Sequence, residues 1–221
     1  MTVIVRVWDA PTRLFHWALV ACFLALVISG QVGGGAMVWH FRFGYGVLTL
    51  ILFRLVWGFH GGHWSRFATF LYRPHQIYRY LLGHSEPEQQ VGHNPLGALS
   101  VFAMLAFLAF QVASGLMSDD EIAASGPLTR FVSTYWVESA TFYHKEIGKL
   151  TLLLLAVLHL SAIAFYFFRK HENLIKPMVL GDKSLSFAAQ SASDTSADRR
   201  KAGLIFLACG AVVASAVMWL G

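Results

Sequence analysis

The chain has 221 residues, of which 56% are hydrophobic and only 13% charged, and its mean hydropathy is +0.55. So little polar material cannot cover a soluble globule of this size, which leaves lipid as the solvent. The formal net charge of +5 and pI of 9.4 suggest nucleic acid at first sight, but the placement of the basic residues makes that partner unnecessary and none is expected.

A hydrocarbon layer about 30 Å thick needs roughly 20 apolar residues per helix. Five stretches are long enough: about Leu14 to Gly30, Trp39 to Phe59, Leu96 to Met117, Phe142 to Phe168 and Ala202 to Leu220. Backbone polar groups in lipid must bond within their own segment, so these runs are expected to be helices. The first run follows Arg6, Asp9 and Arg13 and ends in Ser-Gly-Gln, without a small-residue cleavage site, so no removable signal peptide is expected. Ser184 to Asp198 is small and polar, the composition of a flexible linker. The expected fold is all-α, an integral membrane helical bundle. Residues 1–182 form a four-helix core, 183–201 a cytoplasmic linker and 202–221 an additional C-terminal transmembrane helix.

Orientation follows from the basic residues of the loops. Arg6 and Arg13 precede the first run, Arg66, Arg73 and Arg79 lie between the second and third, and Arg169, Lys170, Lys176, Lys183, Arg199, Arg200 and Lys201 lie between the fourth and fifth. The opposite side holds Arg42, Arg130 and Lys145 with the acidic Asp119, Asp120, Glu121 and Glu138. The N-terminus is therefore expected in the cytoplasm and the C-terminus outside it, with anionic headgroups facing the basic side. Cys22 and Cys209 lie within apolar runs and read as small buried hydrophobes. No Cys-x-x-Cys-His is present, so a covalently attached haem is not expected.

Histidines carry the chemistry, because a metal-binding side chain at membrane depth is costly and signals function. Of ten, His16, His40, His144 and His159 fall inside or at the ends of the runs, while His60, His63, His75, His84, His93 and His171 belong to loops. His144 and His159 share the fourth run; at ~100° per residue they return to within about 60° of one face, and at 1.5 Å rise they stand roughly 22 Å apart. Antiparallel neighbours then pair His16 with His159 and His40 with His144. Two imidazoles closing both axial positions of an iron porphyrin give a low-spin electron carrier, so two non-covalent b haems with bis-histidine ligation are expected. Any one such histidine is more commonly an interfacial polar residue; four at two matched depths favour the ligand reading.

Gly44, Gly46 and Gly148 lie near these histidines and allow either close approach of a porphyrin or close packing of helices. Arg42 and Lys145 lie beside one expected site, with Arg13 near the other, where each can pair with haem propionates or simply reach the headgroups. Arg54 sits inside an apolar helix and can face a propionate or a quinone headgroup. Trp8, Trp17, Trp39, Trp57, Trp64, Tyr135, Trp136 and Tyr143 form two interfacial belts.

The opening from Val5 to Trp17, Val-Arg-Val-Trp-Asp-Ala-Pro-Thr-Arg-Leu-Phe-His-Trp, resembles the start of bacterial cytochrome b561 proteins and of b-type cytochrome subunits of nickel-iron hydrogenases. The resemblance covers about residues 3 to 182. It continues through Gly92-His93-Asn94-Pro95-Leu96-Gly97, Ser118-Asp119-Asp120-Glu121-Ile122, Gly126-Pro127-Leu128, the His144 and His159 pair, and Glu172 to Met178. It implies a four-helix bundle with two b haems ligated from the first, second and fourth helices, at His16, His40, His144 and His159. It further implies electron exchange between membrane quinone and a periplasmic partner, such as a c-type cytochrome or a redox-enzyme subunit, in the bacterial inner membrane. The fifth run departs from that pattern and suggests lateral contact in a homo- or hetero-oligomer.

Two other readings stay open. One is the cytochrome subunit of a periplasmic hydrogenase or formate dehydrogenase. The other is a non-redox transporter or anchor, against which stands the lack of a clear internal repeat.

Overall fold

A computed structural model describes residues 2–120 and 124–220; Glu121 and Ile122, part of the acidic loop and of the resemblance, lie outside the described residues. In chain order the elements are β1 (Val3–Arg6), α1 (Ala10–Val32), α2 (Met37–His60), α3 (Pro74–Leu81), α4 (Pro95–Leu116), α5 (Thr134–Phe142), α6 (Lys149–Arg169), α7 (Ile175–Leu180), β2 (Asp182–Leu185) and α8 (Ser196–Leu220). A π-helical turn, Tyr143–Gly148, joins α5 to α6. Five helices are long and apolar enough to cross a membrane, namely α1, α2, α4, the continuous α5–α6 run and α8. The protein is a multi-pass helical membrane protein. The fourth span starts at Thr134, earlier than its apolar composition indicates, because Thr134–Phe142 is polar and aromatic yet still helical.

The chain divides into two compact units: residues to His16 with Arg54–Ala103 and Val157–Ile205, and Trp17–Phe53 with Met104–Ala156 and the residues from Phe206 onward.

The first unit is organised around Asp9, which is fully buried. As N-cap of α1, its Oδ1 accepts from the Thr12 N–H at 2.8 Å, with Pro11 in the first turn, where a missing N–H costs nothing. The same carboxylate accepts from Trp57 Nε1, the Gly62 N–H and Ser65 Oγ at 3.2, 2.8 and 2.9 Å. One anion thus fixes the start of α1 against the end of α2 and the loop after it. Asn94 caps α4 in the same way, its Oδ1 accepting from the Gly97 N–H at 2.8 Å, with Pro95 first in the helix.

The structure differs from an all-helical chain over the N-terminus and the stretch read as a flexible linker. The β-branched run Val3-Ile4-Val5 pairs antiparallel with β2, Val3 opposite Leu185 and Arg6 opposite Asp182. Gly181, at φ 94°, caps α7 in the left-handed conformation that favours glycine and hands the chain to β2. Beyond β2 the chain is tied down: the Ala192 N–H donates to Arg6 O at 2.7 Å and Trp64 Nε1 to Gln190 O at 2.7 Å. Val5, Val7, Trp8, Trp64, Val91, Leu185 and Ala192 form a core beneath it. Composition misses this, because the small residues of the stretch contribute backbone hydrogen bonds, and α8 begins at Ser196, inside it.

Asp194 closes the arrangement. Its side chain, 4% exposed, faces Arg6 at 2.7 Å, Arg199 at 2.9 Å and Arg13 at 3.8 Å, and accepts from the Ala10 N–H. Burial alone raises its carboxyl, but the hydrogen bonds from Arg199, Ala10 and Arg6 outweigh it and hold the group below the usual carboxylate value. Because the folded value is depressed, the stabilisation is complete above the unfolded value of about 4 and lost as pH falls through the folded one. Asp194→Asn is expected to lower stability by about 2 kcal/mol at neutral pH, read as a fall in Tm in detergent. The difference from wild type should close below about pH 4; an equal Tm at pH 7 would show that the cluster is not stabilising.

In the second unit Val47, Ile51, Leu108 and Leu152 pack with Leu19, Cys22, Phe23, Leu26 and Val112. The C-terminal helix packs here, with Phe206 edge-on to Phe53 at 6.0 Å and Trp219 stacked on Phe131 at 6.4 Å. Gly210 lies against Thr49, and Tyr45, Gly46, Gly210 and Val213 line a shallow crevice between α2 and α8.

Candidate functional site

Each unit contains one histidine pair. In the first, the rings of His16 on α1 and His159 on α6 have centroids 6.5 Å apart and planes inclined by 52°. In the second, His40 on α2 and His144 on the π-helical turn stand 6.1 Å apart at 81°. All four rings are partly exposed.

The second pair is held by matching cradles. His40 Nδ1 lies 3.1 Å from Leu26 O and 3.3 Å from Ser29 Oγ. His144 Nδ1 lies 2.9 Å from Gln111 O and 3.4 Å from Ser114 Oγ. Each serine also donates back along its own helix, Ser29 to Ala25 O at 2.7 Å and Ser114 to Gln111 O at 2.9 Å. A carbonyl can only accept, so Nδ1 carries the proton in both rings and Nε2 is left as the free donor for a metal.

A glycine completes each cradle. A Cβ on Gly30 would stand 3.2 Å from His40 Cε1, and one on Gly115 only 2.7 Å from His144 Cε1. Gln111 adds a second clamp, its Nε2 donating to His144 O at 3.0 Å. That carbonyl belongs to a turn whose wider winding disturbs the ordinary helix ladder, a feature common at functional positions.

Sequence reasoning missed Ser29, Gly30, Gln111, Ser114 and Gly115, although the signal was present. Leu26-Val27-Ile28-Ser29-Gly30 and Gln111-Val112-Ala113-Ser114-Gly115 are a short repeat, at the ends of α1 and α4. A search for a repeat of whole helices passes over five residues. Of the glycines singled out from sequence, Gly44 has nothing within 4 Å of where its Cβ would be, leaving open ground one turn from His40. Gly46 packs toward Cys22 and Gly148 against Gln111 and Tyr143, so these two serve helix packing.

The expected basic partners are distributed unevenly. Arg13 Nη1 donates to Val179 O at 2.6 Å. Arg42 is exposed, its guanidinium 4.9 Å above the Trp39 ring. Lys145 is exposed beside His144. The histidines assigned to loops include one that is not peripheral: His93 lies between Trp8 and Phe70, both centroids at 4.6 Å. Burial, helped by the nearby Arg54, His159 and His16, pushes its imidazole down to about 3 and keeps it neutral.

Among the described residues no cluster of three or more His, Cys, Asp or Glu could hold a bare metal ion. A pair suffices for an iron porphyrin, whose macrocycle supplies the other four nitrogens. An iron held by both imidazoles of a pair, with metal–nitrogen bonds of about 2 Å, would need the two ring centres roughly 6 to 6.5 Å apart. Separations of 6.5 and 6.1 Å fit one iron per pair, and the Nδ1 bonds of the second pair fit the ligating tautomer.

Paired imidazoles on lipid-spanning helices are the donor set of a membrane b-type cytochrome, and the relationships of the chain agree. Residues 7–181 match the family model described as prokaryotic cytochrome b561, and the chain belongs to this family. A relative from Bradyrhizobium diazoefficiens, named "Probable Ni/Fe-hydrogenase B-type cytochrome subunit", is 26% identical over 81% of this chain and 85% of its own length. One of the same name from Rhodobacter capsulatus is 22% identical over 81% of both chains. The Escherichia coli K12 "Probable Ni/Fe-hydrogenase 1 B-type cytochrome subunit" is 27% identical over 49% of this chain and 57% of its own length. No solved structure matches.

Proposed function

We propose that this membrane b-type cytochrome holds two b haems, one between His16 and His159 and one between His40 and His144, and exchanges electrons between membrane quinone and a periplasmic redox partner. The observation that carries this reading is the pair of imidazole separations, each matched to a single six-coordinate iron. When bound, the haems supply one-electron couples. The chain contributes the rest: Leu26 and Gln111 carbonyls hold the proton on Nδ1 of His40 and His144, and an iron held by both imidazoles of a pair would have no position left for oxygen. Arg13, Arg42 and Lys145 are the proposed basic neighbours of the propionates. The excess of basic residues in the loops supports an N-terminus in the cytoplasm and a C-terminus outside it, and the family supports the bacterial inner membrane as the location.

The partner on this reading is a c-type cytochrome. A second reading is favoured by the names of the relatives, in which the partner is the catalytic part of a Ni/Fe-hydrogenase and the chain is its membrane subunit. Gentle detergent extraction separates the two, since a permanent subunit co-purifies with a large metalloenzyme and a free-standing carrier does not.

The decisive test is a reduced-minus-oxidised spectrum with pyridine haemochrome quantification, followed by mixing with a quinol. Sharp b-type bands at about two haems per chain, reduced by quinol, are expected. A chain purified without haem would leave the transporter or anchor reading, and intact haems inert to every quinol would remove the quinone from the scheme.

A further inference from the structure

Arg54 is an anomaly. It lies on α2, in a stretch apolar enough to span lipid, is 3% exposed, and among the described residues its Nη1 has no hydrogen-bond partner. Its guanidinium stands 4.5 Å above the face of Phe67. Phe67 rests against Gly58, one turn along α2, and packs on Phe70 and Phe102 at 5.9 and 5.6 Å. The arginine is therefore held in place by aromatic rings and not by an anion.

The nearby carboxylate, Asp9, accepts from Thr12, Trp57, Gly62 and Ser65, and among the described residues Arg54 has no ion pair. A guanidinium that cannot lose its proton, desolvated and without a hydrogen-bonded anion among the described residues, is a donor group suited to an anion. His93 adds a second orphan, a buried Nδ1 without a partner among the described residues, in a ring fixed between Trp8 and Phe70. Arg54 stands over Phe67, Phe67 packs on Phe70 and Phe70 on His93, and all of them lie in the compact unit that contains the first histidine pair.

We propose that Arg54, with His93 beside it, is a carboxylate-binding site, and that the carboxylate is a propionate of the porphyrin held by His16 and His159. The inference rests on the haem reading above. Arg13 is a weaker candidate for this contact, since it already donates to Val179 O and faces Asp194. A planar guanidinium with free N–H groups suits a carboxylate oxygen, and aromatic walls strengthen the contact by keeping water out.

The test reconstitutes haem-depleted full-length protein in detergent with iron protoporphyrin IX or with its dimethyl ester, which has the same ring and iron but no carboxylate. In wild type the ester should bind the His16–His159 site at least tenfold more weakly than the free acid. In Arg54→Gln the free acid should weaken to the level of the ester, and the ester itself should be unaffected. Equal binding of acid and ester in wild type overturns the proposal and leaves any carboxylate at Arg54 to a separate small molecule. That comparison needs no variant, so a misfolded Arg54→Gln does not spare the proposal. Failure of both porphyrins to bind between His16 and His159 overturns the haem reading and this inference with it, whereas equally tight binding of both overturns this inference alone.

Discussion

His159→Ala is expected to carry one haem per chain, the one between His40 and His144, and His144→Ala is expected to carry only the other. Each pair lies within its own compact unit, and removing one imidazole leaves its partner as a single axial ligand, too little to hold a non-covalent porphyrin in detergent. The haem lost and the haem kept should differ in reduced-minus-oxidised band position and in midpoint potential, because their surroundings differ. One pair shares its compact unit with the buried guanidinium of Arg54; the other is hydrogen-bonded through Nδ1 to helix carbonyls. Haem per chain measured on monodisperse protein checks the result, and equal loss of both haems from either change would sink the pairing.

The second large effect is expected from a single methyl group. Gly115→Ala places a Cβ 2.7 Å from His144 Cε1, and the nearby Nδ1 contact at 3.1 Å allows the ring no easy retreat. The ring is also tethered to Gln111 O, so it must either break that bond or tilt. Loss of most of the haem from the His40–His144 site, with the other site filled, is the expected outcome. Gly30→Ala makes its nearest contact with the His40 ring at 3.2 Å, which a shift of a few tenths of an ångström relieves, so that haem should be retained with a displaced potential. The pair of variants, compared by haem stoichiometry and redox titration, tests whether ring approach sets the tolerance. Full occupancy in Gly115→Ala would mean that the ring moves freely and that the glycine has another purpose.

The helical membrane class was legible because lipid imposes length and apolarity on any span, and both can be read from residues alone. That His16 comes close to His159 and His40 to His144 was legible for a related reason: antiparallel helices of fixed rise leave few ways to match depths. The two-stranded sheet and the pinning of 183–201 were not, since they depend on Arg6 reaching the Asp182 carboxylate and Trp64 the Gln190 carbonyl, each more than a hundred residues away. His93 was hidden for the opposite reason: its loop position suggested water, while Trp8 and Phe70 enclose it. The cradles were visible but unread, because serine and glycine at a helix end look like ordinary packing until a ring is placed against them.

The acceptors in those cradles are main-chain oxygens, and this has a consequence for how the sequence can drift. Leu26 and Gln111 have unlike side chains, yet present the same oxygen to His40 and His144 at 3.1 and 2.9 Å. A backbone oxygen cannot be mutated away, so the electronic character that it lends the imidazole is inherited with the helix and not with the residue. The position that admits few substitutes is instead one that supplies nothing but room, Gly115, with Gly30 a more forgiving counterpart.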